Sequence, residues 1–498
     1  MSARYTKRFF LAAALSALAT RVAAGAPARS LRPVARPSGG AAAARRQVAS
    51  VQALAAAAKL EGAFGYAVAD VGTGEILESG GAGRGLPPAS VTKAVTALYA
   101  LDVLGAGHRF FTELHATGAL RAGVLEGDLI LKGGGDPTLD TDRLAGLVQA
   151  LAAAGVQRIS GAFYVDGTAL PSLEEIDRDQ PDHVGYNPAI SGIALNYNRV
   201  HFEWRRVDGG WATTLEGRSA RHRPAVRFAK MAIVTREGPV FGYQKKGQQD
   251  HWSVARAALG KGGARWLPVR APQIYAGEVF AALARGQGIV LPAPRVAAQA
   301  QGGTRLIARQ QSAPLSEICR SCLRYSNNLV AEMIGLAATK ARSGRASTLR
   351  ASAGEMSRWA KDRLGLSQSR FVDHSGLGAA SRATAADLAR AMVGAQATLA
   401  PLLKRIELRD ARGRPIKEHP LKIHAKTGTL NFVSTLAGYA QDAQGRVLGF
   451  AVMNADLARR GRLTVAEREA PRGARSWNRR AKRLQQGLIE RWAALYSL

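Results

Sequence analysis

The stretch PPASVTK, Pro87–Lys93, follows a glycine-rich run and opens an apolar pattern at Val91, Ala94, Val95, Leu98, Leu101 and Leu104. That spacing predicts an amphipathic helix closed by Gly105. It places Ser90 and Lys93, three residues apart, on one face of the first turn. A helix N-terminus favours negative charge, so it can stabilise the anion formed when a serine there attacks a carbonyl. A buried lysine near a second cation loses its proton more readily and can serve as the base. The pair alone decides little, because SxxK is expected about once by chance in a chain of this size.

Two further segments fit the same chemistry. Tyr325-Ser-Asn-Asn328 falls between two helical patterns, where a tight loop can aim Ser326 and Asn328 into a cleft. Lys426-Thr-Gly-Thr429 lies on a predicted strand, where Gly428 would admit a substrate backbone. Each has an ordinary reading, as helix caps or as an edge-strand turn. SxxK, SxN and KTG in this order form the set found in penicillin-binding proteins and class A β-lactamases. Tyr325-Ser-Asn327 also spells YxN, which would make Tyr325 the proton carrier in place of Ser326.

At 498 residues, 47% of them apolar, the chain is long enough for two or three domains. Its start has the parts of an export signal: basic Arg4, Lys7 and Arg8, apolar Phe9 to Thr20, and small Ala24-Gly25-Ala26. Residues 1–26 are therefore expected to be a signal peptide, with the mature protein exported to the periplasm. TKRFFL resembles the twin-arginine motif with Lys7 in place of the first arginine, which leaves the route open. Residues 27–46 read as a linker rich in Pro, Ala and Arg.

Net charge is +32, and 54 of the 69 basic residues are arginine. Such a balance suits peripheral association with an anionic wall or membrane. The arginines are scattered, and no zinc-finger spacing or aromatic-basic RNA signature accompanies them, so nucleic acid is excluded as a partner. Cys319 and Cys322 share one helical face with Leu315, Ile318 and Leu323, which reads as core in preference to a redox or metal site. GGAGRG (Gly80–Gly85) and GGGDP (Gly133–Pro137) lack the GK[ST] of a P-loop and read as loops.

FGYAVADVGTGEILESG predicts a hairpin around Gly72-Thr73-Gly74. From Phe111 to Arg270 strand-like runs alternate with one clear helix, Asp140 to Ala154. Helices return at Tyr275–Gln287, Leu315–Arg324 and Asn327–Lys340. LKIHAKTG, STLAGYAQD and GRVLGFAVMNA predict three successive strands before a last helix from about Asn478. Arg459 to Arg480 reads as a basic, solvated loop.

With PASVTK, YSNN and AKTGTL, together with LILKGGGDPTL, GAFYVDGTAL, IALNYNRV and LAGYAQDAQGRVLGFAVMN, the chain resembles the class C low-molecular-mass penicillin-binding proteins. These are the D-Ala-D-Ala carboxypeptidase/endopeptidases. Ser326 follows Ser90 by 236 residues, room for the domains this family inserts there. One departure is Asp373-His-Ser-Gly-Leu-Gly378, where the family typically reads DGSGLS.

The resemblance implies an α/β (α+β) penicillin-binding/β-lactamase-like domain, an antiparallel sheet flanked by helices, at residues 47–110 and 271–498. Residues 111–270 would be the inserted α+β accessory block. It also implies the roles. Ser90 attacks the carbonyl of the penultimate D-alanine with Lys93 as base. Ser326 passes the proton to the leaving D-alanine, and Asn328 positions Lys93 and the substrate amide. The backbone N–H groups of Ser90 and Thr429 form the oxyanion hole. Lys426, Thr427 and Thr429 hold the terminal carboxylate beside Gly428, and Lys426 keeps Lys93 deprotonated by repulsion. Peptidoglycan peptides and β-lactam antibiotics are the implied partners, and no cofactor or metal is needed. Two alternatives stay open: a serine β-lactamase or related esterase, and a non-catalytic peptidoglycan-binding scaffold.

Overall fold

The three runs predicted as strands near the C-terminus become adjacent antiparallel strands at Lys422–Leu430, Val433–Gln441 and Val447–Ala455. A computed structural model describes residues 48–298, 303–410 and 412–496. The export segment and linker lie outside the described residues. The predicted hairpin supplies two more strands, Ala63–Asp70 and Ile76–Gly80, and Lys404–Ile406 completes a six-stranded sheet. Its order, by first residue, is 404, 422, 433, 447, 63, 76.

Successive side chains on a strand point to opposite faces, so both faces of this sheet need cover. Ala437, Tyr439, Ala451 and Met453 face one core, shared with the helices Thr92–Leu104, Leu315–Tyr325, Asn328–Ser343, Leu349–Leu364 and Ala385–Gly394. Leu436, Ala440, Phe450 and Val452 face the other, shared with Val51–Ala58 and the long Ala474–Tyr496 helix. The result is helices on both sides of an antiparallel sheet, the arrangement that the resemblance implied.

The inserted block has its own core. Its main sheet runs, by first residue, 294, 163, 129, 111, 305, with three three-stranded sheets beside it. The expected end of the insert at 270 is too early. The helix Pro272–Gly286 sends Ile274, Val279 and Phe280 into the insert's core, and Arg305–Gln311 pairs antiparallel with Phe111–Ala116. The chain rejoins the first core only at Leu315. Helical periodicity says that a face is buried, not against which core, so the helix looked like a return to the first domain.

A smaller apolar cluster joins the two parts: Ile176 and Ile190 of the insert pack with Leu329, Met333 and Leu336. Residues 49 onward form one compact unit. Among the described residues no helix is long and apolar enough to cross a membrane.

Candidate active site

Ser90 lies in a short 3-10 turn, Ala89–Val91, that runs straight into the Thr92–Leu104 helix. Lys93 sits on the first turn of that helix and is 1% exposed. Its Nζ lies 2.9 Å from Ser90 Oγ, 2.7 Å from Asn328 Oδ1 and 2.7 Å from the Ser375 carbonyl oxygen. As an ammonium it donates to all three. As an amine it has two hydrogens for the two carbonyl oxygens and a lone pair left for the Ser90 hydroxyl. The site therefore accommodates both protonation states of a base without moving an atom.

Burial pushes Lys93 down to about 8, opposed by the nearby negative groups, among them Glu332 and Asp373. Lys426, 2% exposed, is lowered to about 7, first by burial and then by the charge of Lys93. The chief cause at Lys93 is thus its desolvation, where the sequence reading named repulsion by Lys426. The repulsion between the two is felt at Lys426.

The second segment is shaped by two helix ends that meet. The Leu315–Tyr325 helix stops at Ser326, which takes the left-handed conformation with φ 58°. Asn327 caps the next helix by accepting from the Val330 N–H. This abrupt turn brings Ser326 Oγ within 2.9 Å of Lys426 Nζ while Asn328 reaches Lys93. Tyr325 is 72% exposed, its ring under the Arg324 guanidinium. Of the two hydroxyls in the overlapping motifs, the one aimed at the lysines belongs to Ser326.

The third segment is a strand whose outer edge is covered only as far as Ala425, by Lys404–Ile406. Residues 426–430 leave that edge open, with Thr427 and Thr429 exposed on it. A Cβ on Gly428 would lie 2.6 Å from the Pro88 carbonyl and 3.2 Å from the Ser90 nitrogen. Glycine was expected to admit substrate. What it admits in the fold is the nucleophile turn itself, seated directly against the strand.

All eight residues singled out in the sequence thus converge. Ser90, Ser326, Asn328 and Thr429 line a cleft of about 310 Å³, and Gln180 and Tyr186 of the insert form part of its wall. The Tyr186 carbonyl accepts from Asn328 Nδ2 at 2.9 Å, so the inserted block braces the residue that holds Lys93.

Three further residues support Lys93 in parts that the sequence did not assign to them: Glu332, Asp373 and Ser375. Glu332 is fully buried and accepts from the successive backbone N–H groups of His374 and Ser375, both at 2.9 Å. Asp373 accepts from Gly376 at 2.7 Å and Gly378 at 2.6 Å. These bonds fix the loop so that the Ser375 carbonyl meets Lys93. Burial raises both carboxyl groups, and their mutual repulsion adds to it at Glu332. The available signal was a lone glutamate inside LVAEMIGLAA, one turn after Asn328 and on its face. Cys319 and Cys322 are buried free thiols, with Cys322 raised to about 11 by burial, as core residues would be.

The D-Ala-D-Ala carboxypeptidase 3 (S13) family model matches residues 47–470. The chain belongs to that family. It is a serine peptidase, and its S13 relatives span most of its length. It is 31% identical over 477 residues to the D-alanyl-D-alanine carboxypeptidase of Actinomadura sp. strain R39, covering 84% of each chain. It is 25% identical over 451 residues to carboxypeptidase DacB of Mycolicibacterium smegmatis, covering 84% of this chain and 82% of that one. Its fold is similar to that of penicillin binding protein 4 (dacB) from Haemophilus influenzae. The TM-score is 0.69 at 19% identity, over 82% of this chain and 93% of that one.

Proposed function

We propose that this S13 peptidase is an exported, periplasmic D-alanyl-D-alanine carboxypeptidase with DD-endopeptidase activity on peptidoglycan stem peptides, and that penicillins acylate it. One observation carries the reading: Lys93 Nζ is held by Asn328 and the Ser375 carbonyl at 2.9 Å from Ser90 Oγ. An amine so held has its lone pair on the one hydroxyl that stands at the head of a helix.

Ser90 Oγ attacks the carbonyl carbon of the penultimate D-alanine and its proton passes to Lys93. Negative charge develops on the carbonyl oxygen beside the Ser90 and Thr429 backbone N–H groups; a donor so placed contributes about 3 kcal/mol. The Ser326 oxygen accepts an N–H from Lys426, which leaves its own hydrogen free for the leaving nitrogen. The C–N bond breaks and D-alanine leaves with that proton. Ser326 is made whole by the proton that Lys93 took from Ser90, and water cleaves the Ser90 ester to restore the Ser90 hydroxyl. Lys426, Thr427 and Thr429 hold the terminal carboxylate in carboxypeptidase turnover. For endopeptidase turnover the same edge takes the carboxylate that lies beside the leaving amine on the acceptor residue of the cross-link.

The relative in Actinomadura is named for the carboxypeptidase reaction, which supports the substrate class. The test is labelled penicillin followed by digestion of purified muropeptides. A long-lived adduct on Ser90, with loss of one D-alanine and splitting of cross-linked dimers by mass, is the expected result. Rapid release of the adduct would mark a β-lactamase, and no adduct with no product would mark a binding scaffold.

A further inference from the structure

The open edge at Thr427–Thr429 does not end at the catalytic cleft. On the side of the C-terminal helix it borders a hollow of about 520 Å³, which adjoins a second of about 830 Å³. The two share Arg409, Lys482 and Gln486. Besides Lys404, six exposed cations line them: Arg405, Arg409, Arg412, Arg479, Lys482 and Arg483. Lys404 stands at the same rim, close enough to Lys426 for its charge to be felt there.

These cations are not held apart by chance of composition alone. Arg479, Lys482 and Arg483 lie at i, i+3 and i+4 on one face of the Ala474–Tyr496 helix, where like charges repel. Gln486, the next position on that face, donates to the Arg409 carbonyl at 2.7 Å and accepts from its N–H at 3.0 Å. The helix and the 405–416 segment are thereby locked together with their positive sides facing one hollow. Among the described residues none of the six forms an ion pair. Of the carboxylates present, Asp410 is engaged by Arg414 at 2.9 Å and Glu490 accepts from Gln486 at 2.8 Å, leaving Glu407. The surplus of positive charge is concave, continuous with the strand that takes the reacting terminus, and unmatched within the fold.

We infer that this groove holds the polymeric part of the substrate, its cations matching carboxylates of stem peptides beyond the reacting D-alanine. The inference rests on the proposed peptidoglycan activity and extends it. The fold would then separate two tasks: a small cleft that reacts with any D-alanyl terminus, and a long cationic groove that favours termini still attached to the anionic matrix. A channel bounded by the Ala474–Tyr496 helix and the segment after Lys404–Ile406 fits an extended polymer better than a flat bilayer, which would meet only its rims.

The experiment uses the full mature chain and a triple variant, Arg479→Glu/Lys482→Glu/Arg483→Glu. Two readouts are taken: acylation by labelled penicillin, and co-sedimentation with purified sacculi over a range of salt. The variant is expected to acylate within about twofold of the parent, and its sacculus binding to fall about tenfold at low salt and lose its salt dependence. Sacculi stripped of phosphodiester polymers should bind the parent as before. Unchanged sacculus binding by the variant would overturn the inference. So would loss of parent binding on stripped sacculi, which assigns the groove to phosphate, or equal charge-dependent binding to phosphatidylglycerol vesicles, which assigns it to lipid. A parent that binds sacculi through these cations but is never labelled by penicillin would sink the hydrolase reading and leave the groove standing as a wall-binding site.

Discussion

Lys93 can take a proton from Ser90 only when it has shed its own, and burial sets where that happens. Its ammonium is lowered to about 8, and below that pH the base is progressively lost. Acylation by penicillin should therefore fall about tenfold per pH unit on the acid side, measured as the second-order rate of adduct formation. Lys426 works in the opposite sense, since it must stay charged to hold a carboxylate, yet it is lowered to about 7. The two lysines titrate as a pair, and a bound carboxylate favours the state with the proton on Lys426 and none on Lys93. A substrate with a free terminal carboxylate should thus show an alkaline limb that its methyl ester lacks. Glu332 gives a separate test, because its carboxylate favours the Lys93 ammonium when ionised. Burial raises it well above the usual carboxylate range, so the two groups titrate together. Glu332→Gln should move the acid limb to lower pH while also slowing the plateau rate. A purely structural part for Glu332 would lower the plateau and leave the limb where it was. Ser90→Ala and Lys93→Met should each reduce acylation by about 10⁴-fold or more with the fold retained by circular dichroism.

The elements that carry these residues differ in how plainly the sequence shows them. The strands Val433–Gln441 and Val447–Ala455 are legible because nearly every side chain on both faces is buried, whereas Lys422–Leu430 is polar on its open side and shows itself mainly by the alternation around its KTG segment. The helix after Ser90 and the paired ends at Ser326 are legible because caps and apolar periods coincide there. Arg305–Gln311, RLIARQQ, carries no apolar alternation and joins the insert's sheet by its backbone, so nothing in its side chains announces it. Nor does the sequence show why His374 stands in the loop at Lys93. It is fully buried, its Nε2 lies 2.7 Å from Ser352 Oγ, and it is kept neutral by burial at about 3. The space for its ring exists because residue 335, on a helix distant in sequence, is glycine, where any Cβ would collide with the imidazole. Such a pairing of a large residue with a missing side chain is a property of two elements together. Gly428 is the same kind of contact at the site itself, since a Cβ would press on the Pro88 carbonyl. Gly428→Ala should push the strand off the nucleophile turn by a fraction of an ångström and lower acylation about 10²-fold. Circular dichroism and the unfolding midpoint should change little, which separates misalignment from collapse.

At the scale of the whole chain, the insert does more than hang from the catalytic layers. Its Tyr186 carbonyl takes one N–H of Asn328, whose oxygen takes one from Lys93, so the insert is two hydrogen bonds from the base. Behind that contact Ile190, fully buried, packs in the cluster with Leu329, Met333 and Leu336 on the helix that begins at Asn328. Leu131 is buried as deeply but belongs to the insert's own core, facing away from the joint. Truncating either to alanine should destabilise by about 2–4 kcal/mol, because each removes comparable apolar volume from a packed site. The two should part company in function. Ile190→Ala loosens the brace on Asn328, and with it the amine that faces Ser90, so acylation by labelled penicillin should slow about tenfold. Leu131→Ala should acylate at the parent rate as long as the chain stays folded. Denaturant unfolding followed by tryptophan fluorescence, run beside the acylation assay in native buffer, reads both quantities on the same samples. If the two variants lose equal stability and both keep the parent acylation rate, the joint is a passive seam and the base is held by the catalytic layers alone.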